Sequence, residues 1–251
     1  MKLATMRRLA LILALALPAN AGRSFNGSTD VVTANGIGSA LDISSGPETI
    51  SLWWYPTSVS VTQAAVAHYR AFTSGSQFAI GLGYGSASNN NFTAVFGCCG
   101  ISGPAYLSCG TVTTNQWYQI VVRLDSVGGF AYLNVSGGLT CSVSTTTTLL
   151  SRAPGSSNFT IGDDSTGSYG AHGIIGEVAV WNLLLSANQL ASLRNICPVG
   201  PSARRMGFPP PVGYFPLTGA SGSSIEPDLS GNVLNGTLTG TSPANHPPCT
   251  P

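Results

Sequence analysis

The stretch from Gly173 to Leu193, GIIGEVAVWNLLLSANQLASL, decides the fold of this 251-residue chain. Its first part, Ile175 to Trp181, alternates with the period of two that is typical of a strand. After a short polar junction, Ser186 and Gln189 stand three residues apart, which is the spacing of a helix capping box. Leu190 and Leu193 then lie on one helix face. The stretch therefore predicts a strand that runs into one short capped helix.

The rest of the chain, from Arg23 to Val180, consists of short strand-like segments and contains no convincing amphipathic helix. Clusters of Gly, Ser, Asn and Pro separate these segments, which indicates turns. The clearest predicted strands are Thr49–Tyr55, Phe78–Leu82, Phe92–Phe96, Trp117–Leu124, Phe130–Val135 and Phe159–Ile161. Many short strands at this spacing favour a two-sheet sandwich. The alternative, a flexible Ser/Thr-rich stalk, would not need the four Trp, eight Tyr and nine Phe.

Residues 1–21 are predicted to be a signal peptide. Lys2, Arg7 and Arg8 precede an apolar run at residues 9–17, and Ala19-Asn20-Ala21 offers a small-x-small cleavage site. The apolar run is far shorter than the roughly 20 residues that span a bilayer. We therefore expect a secreted, extracellular protein without membrane insertion once the signal is removed. A virion or cell-surface assembly is the alternative location.

Charged residues are scarce, with 10 Lys and Arg, 9 Asp and Glu, and a net charge of +1. Without the predicted signal the chain keeps seven Arg, no Lys and all nine acids, so its net charge is about −2. No basic stripe exists, which argues against nucleic acid as a partner. The expected partner is a glycan or an extracellular protein, and the oligomeric state stays open.

All six cysteines follow the predicted signal, which favours disulfides in an oxidising compartment. Metal binding is the weaker reading, because there is no CxxC pair and no nearby histidine. The Gly-Pro hairpin before Cys109 favours a bridge from Cys98 or Cys99 to Cys109. The other member of that pair would then reach Cys141, and Cys197 would pair with Cys249.

Five short motifs, taken in order, resemble those of laminin-G-like (concanavalin A-like) jelly-roll domains. They are Phe25–Asp30 (FNGSTD), Thr49–Pro56 (TISLWWYP), Asn115–Tyr118 (NQWY), Tyr132–Val135 (YLNV) and Phe159–Asp163 (FTIGD). The resemblance implies an all-β, two-sheet antiparallel jelly-roll sandwich with one short helix near residues 186–194. The expected domain order is a jelly-roll core at 22–197, a linker at 198–211 that its proline content indicates, and a C-terminal segment at 212–251.

The C-terminal segment, residues 212–251, resembles a strand that usually comes first in these domains. It contains an aromatic-Pro-Leu strand, then DLSG and NGTL. Because it comes last here, we expect it to complete the sandwich from the C-terminus, as in a circular permutation. A disordered tail is the alternative.

No constellation of catalytic residues is evident. The chain has no HExxH, GxSxG or phosphate-binding loop, and its three histidines share no ligand spacing. Its acids form no alternating set of the kind that glycoside hydrolases on this sandwich use. The sequence therefore predicts a non-catalytic recognition module that binds glycan or protein at an extracellular surface. A structural component of a virion or cell-surface assembly is the alternative, and a glycan-degrading enzyme is less favoured.

Two aromatic residues on one predicted strand are candidate ligand-binding residues. Period-two geometry places Trp53 and Tyr55 opposite Ile50, Leu52 and Trp54. If the latter three form the core, Trp53 and Tyr55 face outward and offer rings on which a sugar can stack. The alternative is that a loop or the tail covers them.

Calcium is the one cofactor that we consider. Asp163, Asp164 and Asp228, together with Asp30 and loop carbonyls, offer the hard oxygen ligands that this ion prefers. The family resemblance also implies calcium, because laminin-G-like domains often carry one ion at the rim of the sandwich. Aspartates in Gly/Ser-rich loops are, however, also common turn formers.

Overall fold

The computed structural model describes residues 22–36, 38–42, 46–68, 78–83, 88–96, 105–125, 130–137, 141–146, 158–164, 166–193 and 208–245. These residues form sixteen strands and one helix. The predicted signal peptide lies outside the described residues, as do Cys98, Cys99, Cys197 and Cys249. Within the described part of the chain, no helix has the length and apolarity that crossing a bilayer demands.

The elements follow one another along the chain in this order. They are β1 (Gly22–Asn26), β2 (Val31–Ala34), β3 (Glu48–Pro56), β4 (Gln63–His68), β5 (Phe78–Leu82), β6 (Asn91–Phe96), β7 (Ala105–Thr111), β8 (Tyr118–Asp125), β9 (Phe130–Gly137), β10 (Cys141–Thr146), β11 (Phe159–Ile161), β12 (His172–Trp181), α1 (Ala187–Leu193), β13 (Gly213–Phe215), β14 (Ile225–Glu226), β15 (Gly236–Thr239) and β16 (Ser242–Ala244).

The strands form two antiparallel sheets of eight strands each. In sheet A the order is β10-β9-β8-β3-β12-β1-β16, and β13 also pairs with β12. In sheet B the order is β14-β15-β2-β11-β4-β5-β6-β7. Neighbours in space are therefore often distant in sequence, as expected for a jelly-roll sandwich. The predicted fold class, an all-β two-sheet sandwich with one short helix, is confirmed.

The core lies between the sheets and follows the period-two pattern of the strands. On β3, Ile50, Leu52 and Trp54 are completely buried. The Trp54 ring packs at 5.8 Å from the ring of Phe92, which belongs to sheet B. Each such side chain contributes roughly 1.5–3 kcal/mol when it leaves water. The predicted inward face of this strand is confirmed.

The helix α1 begins with the predicted capping box. The Ser186 backbone N–H donates to Gln189 Oε1 at 2.8 Å, and the Gln189 N–H donates to Ser186 Oγ at 3.3 Å. The helix packs against the outer face of sheet A, where Leu193 joins a buried cluster with Trp181. The buried Gln119 of β8 donates from Nε2 to the Leu193 carbonyl at 3.0 Å. One part of the outer face of sheet A is thereby covered.

The segment after residue 208 contributes strands to both sheets. Strand β13 pairs with β12, β16 pairs with β1, and β15 pairs with β2. A buried ion pair joins the two sheets here: Arg23 Nε of β1 donates to Glu226 Oε2 of β14 at 3.0 Å. The predicted domain boundaries at residues 197 and 211 stay predictions.

A disulfide between Cys109 and Cys141 links the edges of the two sheets, with the Cα atoms 5.9 Å apart. Cys109 lies on β7, at one edge of sheet B, and Cys141 begins β10, at one edge of sheet A. The expected bridges from Cys98 or Cys99 to either residue are therefore wrong. A disulfide needs two Cβ atoms that face each other within a few ångströms, and the two sheet edges bring Cys109 and Cys141 to that distance.

Candidate functional site

A polar cleft of ≈630 Å³ lies on the outer face of sheet B, and we call it the threonine cleft. Its floor consists of outward-facing residues of three adjacent strands: Val31 and Thr33 of β2, Thr160 of β11 and Thr239 of β15. Its walls are residues 28–29, residues 163, 164, 166 and 167, and Asn158.

The period of two explains why threonines line the cleft. On β2, the apolar Val32 and Ala34 point into the core and are buried, whereas Thr33 alternates with them and faces outward. In the register, Thr33 lies opposite Thr160 on one side and Thr237 on the other. Because β-branched residues suit strands, threonine supplies hydroxyl groups at no cost to the sheet.

Asp163 and Asp164 shape the first wall of the cleft by accepting backbone hydrogen bonds. Asp163 Oδ1 accepts from the N–H groups of Asp164 at 2.7 Å and of Tyr169 at 3.0 Å. Asp164 Oδ1 accepts from the Thr166 N–H at 3.0 Å and from the Thr166 hydroxyl at 2.7 Å. These Asx-type contacts hold the loop in place without any help from a ligand.

This wall starts at Gly162, where the chain leaves β11 with a φ of +90°. A Cβ atom at this position would lie 2.1 Å from the Phe25 ring, so no larger residue fits. The Gly162 N–H donates to the Ala65 carbonyl at 2.8 Å, and the Ala171 N–H donates to the Gly162 carbonyl at 2.7 Å. The loop is thus tied to the sheet at its base.

Burial changes the acid strength of one carboxyl group in this wall. Asp163 is 2% exposed, and its desolvation raises its pKa from 3.8 to about 6. Hydrogen bonds from the Tyr169 and Asp164 N–H groups act in the opposite direction but do not cancel the effect of burial. Asp163 is therefore mainly a carboxylate at pH 7 and takes up a proton in mildly acidic solution.

The second wall is a tight turn that follows β1. Asn26 Oδ1 accepts from the N–H groups of Ser28 at 2.9 Å and of Thr29 at 3.1 Å. Asp30 Oδ2 accepts from the Asn26 N–H at 3.0 Å and closes the turn. The turn leaves Ser28 and Thr29 exposed at the mouth of the cleft.

The four aspartates that we considered for calcium do not come together in one ligand set. Asp163 and Asp164 line the cleft, but Asp228 lies in another loop, where its carboxylate oxygens accept from Tyr214, Ser230 and Leu234. Among the described residues, no group of three or more His, Cys, Asp or Glu side chains is placed to hold a metal ion. Calcium takes six to eight oxygen ligands, and these residues do not assemble such a set. Calcium binding stays an untested prediction.

The predicted aromatic pair lies on the other side of the molecule. Trp53 and Tyr55 are half-buried on the outer face of sheet A, as the alternation indicates. The Trp53 Nε1 atom is buried and makes no hydrogen bond. Tyr55 contacts Trp117, with the ring centroids 5.4 Å apart. We missed Trp117, although its place before the buried Tyr118 would have assigned it to the same face. The ligand-binding role of Trp53 and Tyr55 stays a prediction.

The residues that line the cleft were mostly missed from the sequence. Asp163 and Asp164 were singled out, but Thr33, Thr160 and Thr239 were not. A threonine that alternates with apolar residues is the ordinary pattern of a solvent-facing strand, so it carries no signal of a site. The cleft exists only because three strands, distant in sequence, are adjacent in sheet B.

Two stacked antiparallel sheets with these connections define the chain as a jelly-roll sandwich protein. A family model described as the concanavalin A-like lectin/glucanases superfamily matches residues 26–191. The chain belongs to this superfamily, and the family resemblance of its sequence motifs is confirmed. No curated protein matches the chain.

Several solved structures are similar to the chain at low sequence identity. A candidate carbohydrate-binding protein from Bacteroides ovatus ATCC 8483 overlays with a TM-score of 0.64 at 17% identity, covering 91% of this chain and 60% of its own. The chain thus spans less than two thirds of that protein. The Ruminococcus gnavus IT-sialidase CBM40 bound to alpha2,3 sialyllactose is 12% identical and has a TM-score of 0.48, covering 69% of this chain and 98% of its own. A heptameric SAP-like pentraxin from Limulus polyphemus is 14% identical and has a TM-score of 0.47, covering 68% and 80%.

Proposed function

We propose that this protein is a secreted, non-catalytic module that recognises a glycan in the threonine cleft. The cleft itself is the observation that supports this proposal. Its volume of ≈630 Å³ falls within the roughly 300–1,000 Å³ of small-molecule sites. Membership of a superfamily that includes lectins supports the same function.

The groups that line the cleft match the chemistry of a sugar. Hydroxyl groups of Thr33, Thr239 and Thr29 both donate and accept hydrogen bonds, as sugar hydroxyls do. Asn158 adds an amide at the edge. Because the floor belongs to a sheet and both walls are held by internal hydrogen bonds, binding would cost little ordering of the protein.

The carboxylates of the cleft favour binding over hydrolysis. Glycoside hydrolysis ordinarily uses two carboxyl groups that flank the scissile bond, about 5 Å or more apart, and are free to act as acid, base or nucleophile. Asp163 and Asp164 are adjacent in sequence and accept hydrogen bonds from the same loop. A cleft with this wall is expected to hold a glycan without cleaving it. The disulfide supports an oxidising, extracellular location.

A glycan array, followed by calorimetric titration of each hit with and without calcium, tests the proposal. The decisive variant combines Thr33→Val and Thr239→Val, which removes two hydroxyl groups with little change of shape. Two lost hydrogen bonds of about 0.5–1.5 kcal/mol each should weaken binding by about fivefold to a hundredfold. Thr237→Val is the matched control, because Thr237 lies on the same strand and face but outside the cleft.

Four results would contradict the proposal in different ways. Absence of saturable binding to any glycan would refute the function. Binding that survives the double variant but disappears with Trp53→Ala would move the site to the outer face of sheet A. Release of reducing sugar from a bound glycan would restore the enzyme hypothesis. Detection of the chain in purified particles or filaments, without glycan binding, would support the structural alternative.

A further inference from the structure

The outer face of sheet A contains a second surface, which α1 leaves open. It lies on β8, β9 and β10, and we call it the Arg123 shelf: Arg123, Phe130, Tyr132, Asn134, Ser142 and Ser144. Phe130 is 39% exposed, and the two serines are also exposed. The alternating partners of these residues, including Leu133, point into the core.

Arg123 is the central residue of this surface. Of the residues that the structure describes, only Arg23 and Arg123 are Lys or Arg. Arg23 is buried against Glu226, whereas Arg123 makes no hydrogen bond or ion pair within the described part of the chain. Its guanidinium carbon lies 4.5 Å from the centroid of the Tyr132 ring. The charge is therefore held over a ring, and within the described residues it forms no salt bridge with a carboxylate.

The orientation of the Arg123 guanidinium favours an external anion. The Nε atom of Arg123 is buried and makes no hydrogen bond, whereas its two terminal nitrogens are not buried. The end of the side chain that forms forked, two-point contacts with carboxylate or sulfate is thus the accessible end. A protein that needed this charge only for internal stability would be expected to pair it.

The neighbours of Arg123 supply a surface for a sugar ring. The rings of Phe130 and Tyr132 are nearly parallel, with an interplanar angle of 29° and centroids 6.3 Å apart. On the far side of Tyr132, Ser144 lies directly opposite it in the register. Ser142 donates from Oγ to Asn134 Oδ1 at 2.8 Å. Apolar ring faces beside hydroxyl groups suit the mixed surface of a saccharide.

We infer that the Arg123 shelf binds an acidic saccharide. The anionic group of the sugar contacts the terminal nitrogens of Arg123, and the sugar ring packs on Phe130 and Tyr132. This inference rests on the proposed glycan-binding function and adds a ligand class to it, at a site separate from the threonine cleft. Asp125 lies opposite Phe130 in the register, at the end of the shelf.

The test titrates the secreted, full-length protein with three probes: trigalacturonate, its methyl ester, and sulfated maltotriose. The variants are Arg123→Gln, Arg123→Lys and Phe130→Ala. The matched control is Tyr106→Ala, because Tyr106 is an aromatic residue with the same 39% exposure on sheet B. We expect Arg123→Gln to weaken trigalacturonate binding tenfold or more, and Arg123→Lys to weaken it severalfold, since lysine lacks the forked contact. Phe130→Ala should weaken it severalfold, and Tyr106→Ala should have no effect.

The three probes identify the source of the negative charge. Preference for trigalacturonate over its methyl ester supports a carboxylate ligand, and preference for sulfated maltotriose supports a sulfate ester at the same shelf. Equal affinity of the wild type and Arg123→Gln for all three probes overturns the inference. Equally tight, Arg123-dependent binding of polyglutamate also overturns it, because charge alone would then suffice.

The threonine-cleft proposal and the Arg123-shelf inference can be refuted independently of each other. If the Thr33→Val/Thr239→Val variant binds an acidic probe more weakly but Arg123→Gln does not, the inference about the Arg123 shelf is refuted and the proposal for the threonine cleft is supported. If Arg123→Gln abolishes binding of the acidic probes while the Thr33→Val/Thr239→Val variant changes no glycan affinity, binding at the Arg123 shelf is supported and binding at the threonine cleft is refuted. Thermal unfolding of each variant shows whether a loss of affinity reflects a loss of fold.

Discussion

Replacement of Asp163 by Asn should stabilise the protein at neutral pH, although the Asp163 carboxylate accepts two backbone hydrogen bonds. An Asn Oδ1 atom can still accept from the N–H groups of Asp164 and Tyr169, as Asp163 Oδ1 does at 2.7 and 3.0 Å. The substitution therefore keeps the wall of the threonine cleft and removes only the charge. Since Asp163 is 2% exposed, that charge is one that burial penalises.

The magnitude follows from the pKa of Asp163. Burial raises this pKa from 3.8 to about 6, and one pKa unit corresponds to about 1.4 kcal/mol, so the charge costs at most about 3 kcal/mol. Because the group borders an open cleft, solvent reduces this cost, and we expect about 1–2 kcal/mol. The folded state binds the proton more tightly, so this stability is present below pH 3.8 and is lost as the pH rises through 6.

Urea unfolding at intervals between pH 4 and pH 8 measures the effect. The wild type should lose about 1–2 kcal/mol from this group across the range, and Asp163→Asn should not. The variant should therefore be the more stable protein at pH 8, with the difference vanishing near pH 4. A variant that is less stable than the wild type by the same amount at every pH would refute the reasoning. It would show that the carboxylate stabilises its loop by more than burial costs.

Three further predictions concern the free energy of unfolding. Asp228→Asn should destabilise the protein by about 1–3 kcal/mol, because its second carboxylate oxygen accepts from the Leu234 N–H at 3.0 Å and an amide NH₂ would leave that donor unpaired. Glu226→Gln should cost about 3–5 kcal/mol, because Arg23 would remain buried without a counter-charge, and adding Arg23→Met to this variant should recover much of that loss, since Gln keeps an acceptor oxygen for the Thr218 or Gly219 N–H. Ser186→Ala should cost about 1 kcal/mol, because it removes the side-chain acceptor of the helix cap.

Chemical denaturation of each variant at pH 7 checks these values. Unchanged stability of Asp228→Asn would mean that the loop does not need its second acceptor oxygen. A double variant as unstable as Glu226→Gln would assign the loss to packing rather than to an unpaired charge. An ineffective Ser186→Ala would show that burial of Leu193 is enough to hold α1 in place.

The features of this structure that depend on residues close together in the chain could be predicted from the sequence. Alternation along Thr49–Tyr55 predicted which side chains of β3 enter the core, and Ile50, Leu52 and Trp54 are indeed buried. The spacing of Ser186 and Gln189 predicted a capping box that the structure confirms. Both features depend on residues within a few positions of one another, so a local reading of the chain suffices.

The disulfide and the binding surfaces depend instead on how the strands are ordered in the sheets. Cys109 pairs with Cys141 because one edge of each sheet meets there, and no local spacing reveals this. Thr33, Thr160 and Thr239 form one floor although more than two hundred residues separate the first from the last. Whether a strand residue faces a cleft or plain solvent is set by long-range pairing. The sequence alone determined the faces of each strand, and only the tertiary structure decided which faces meet.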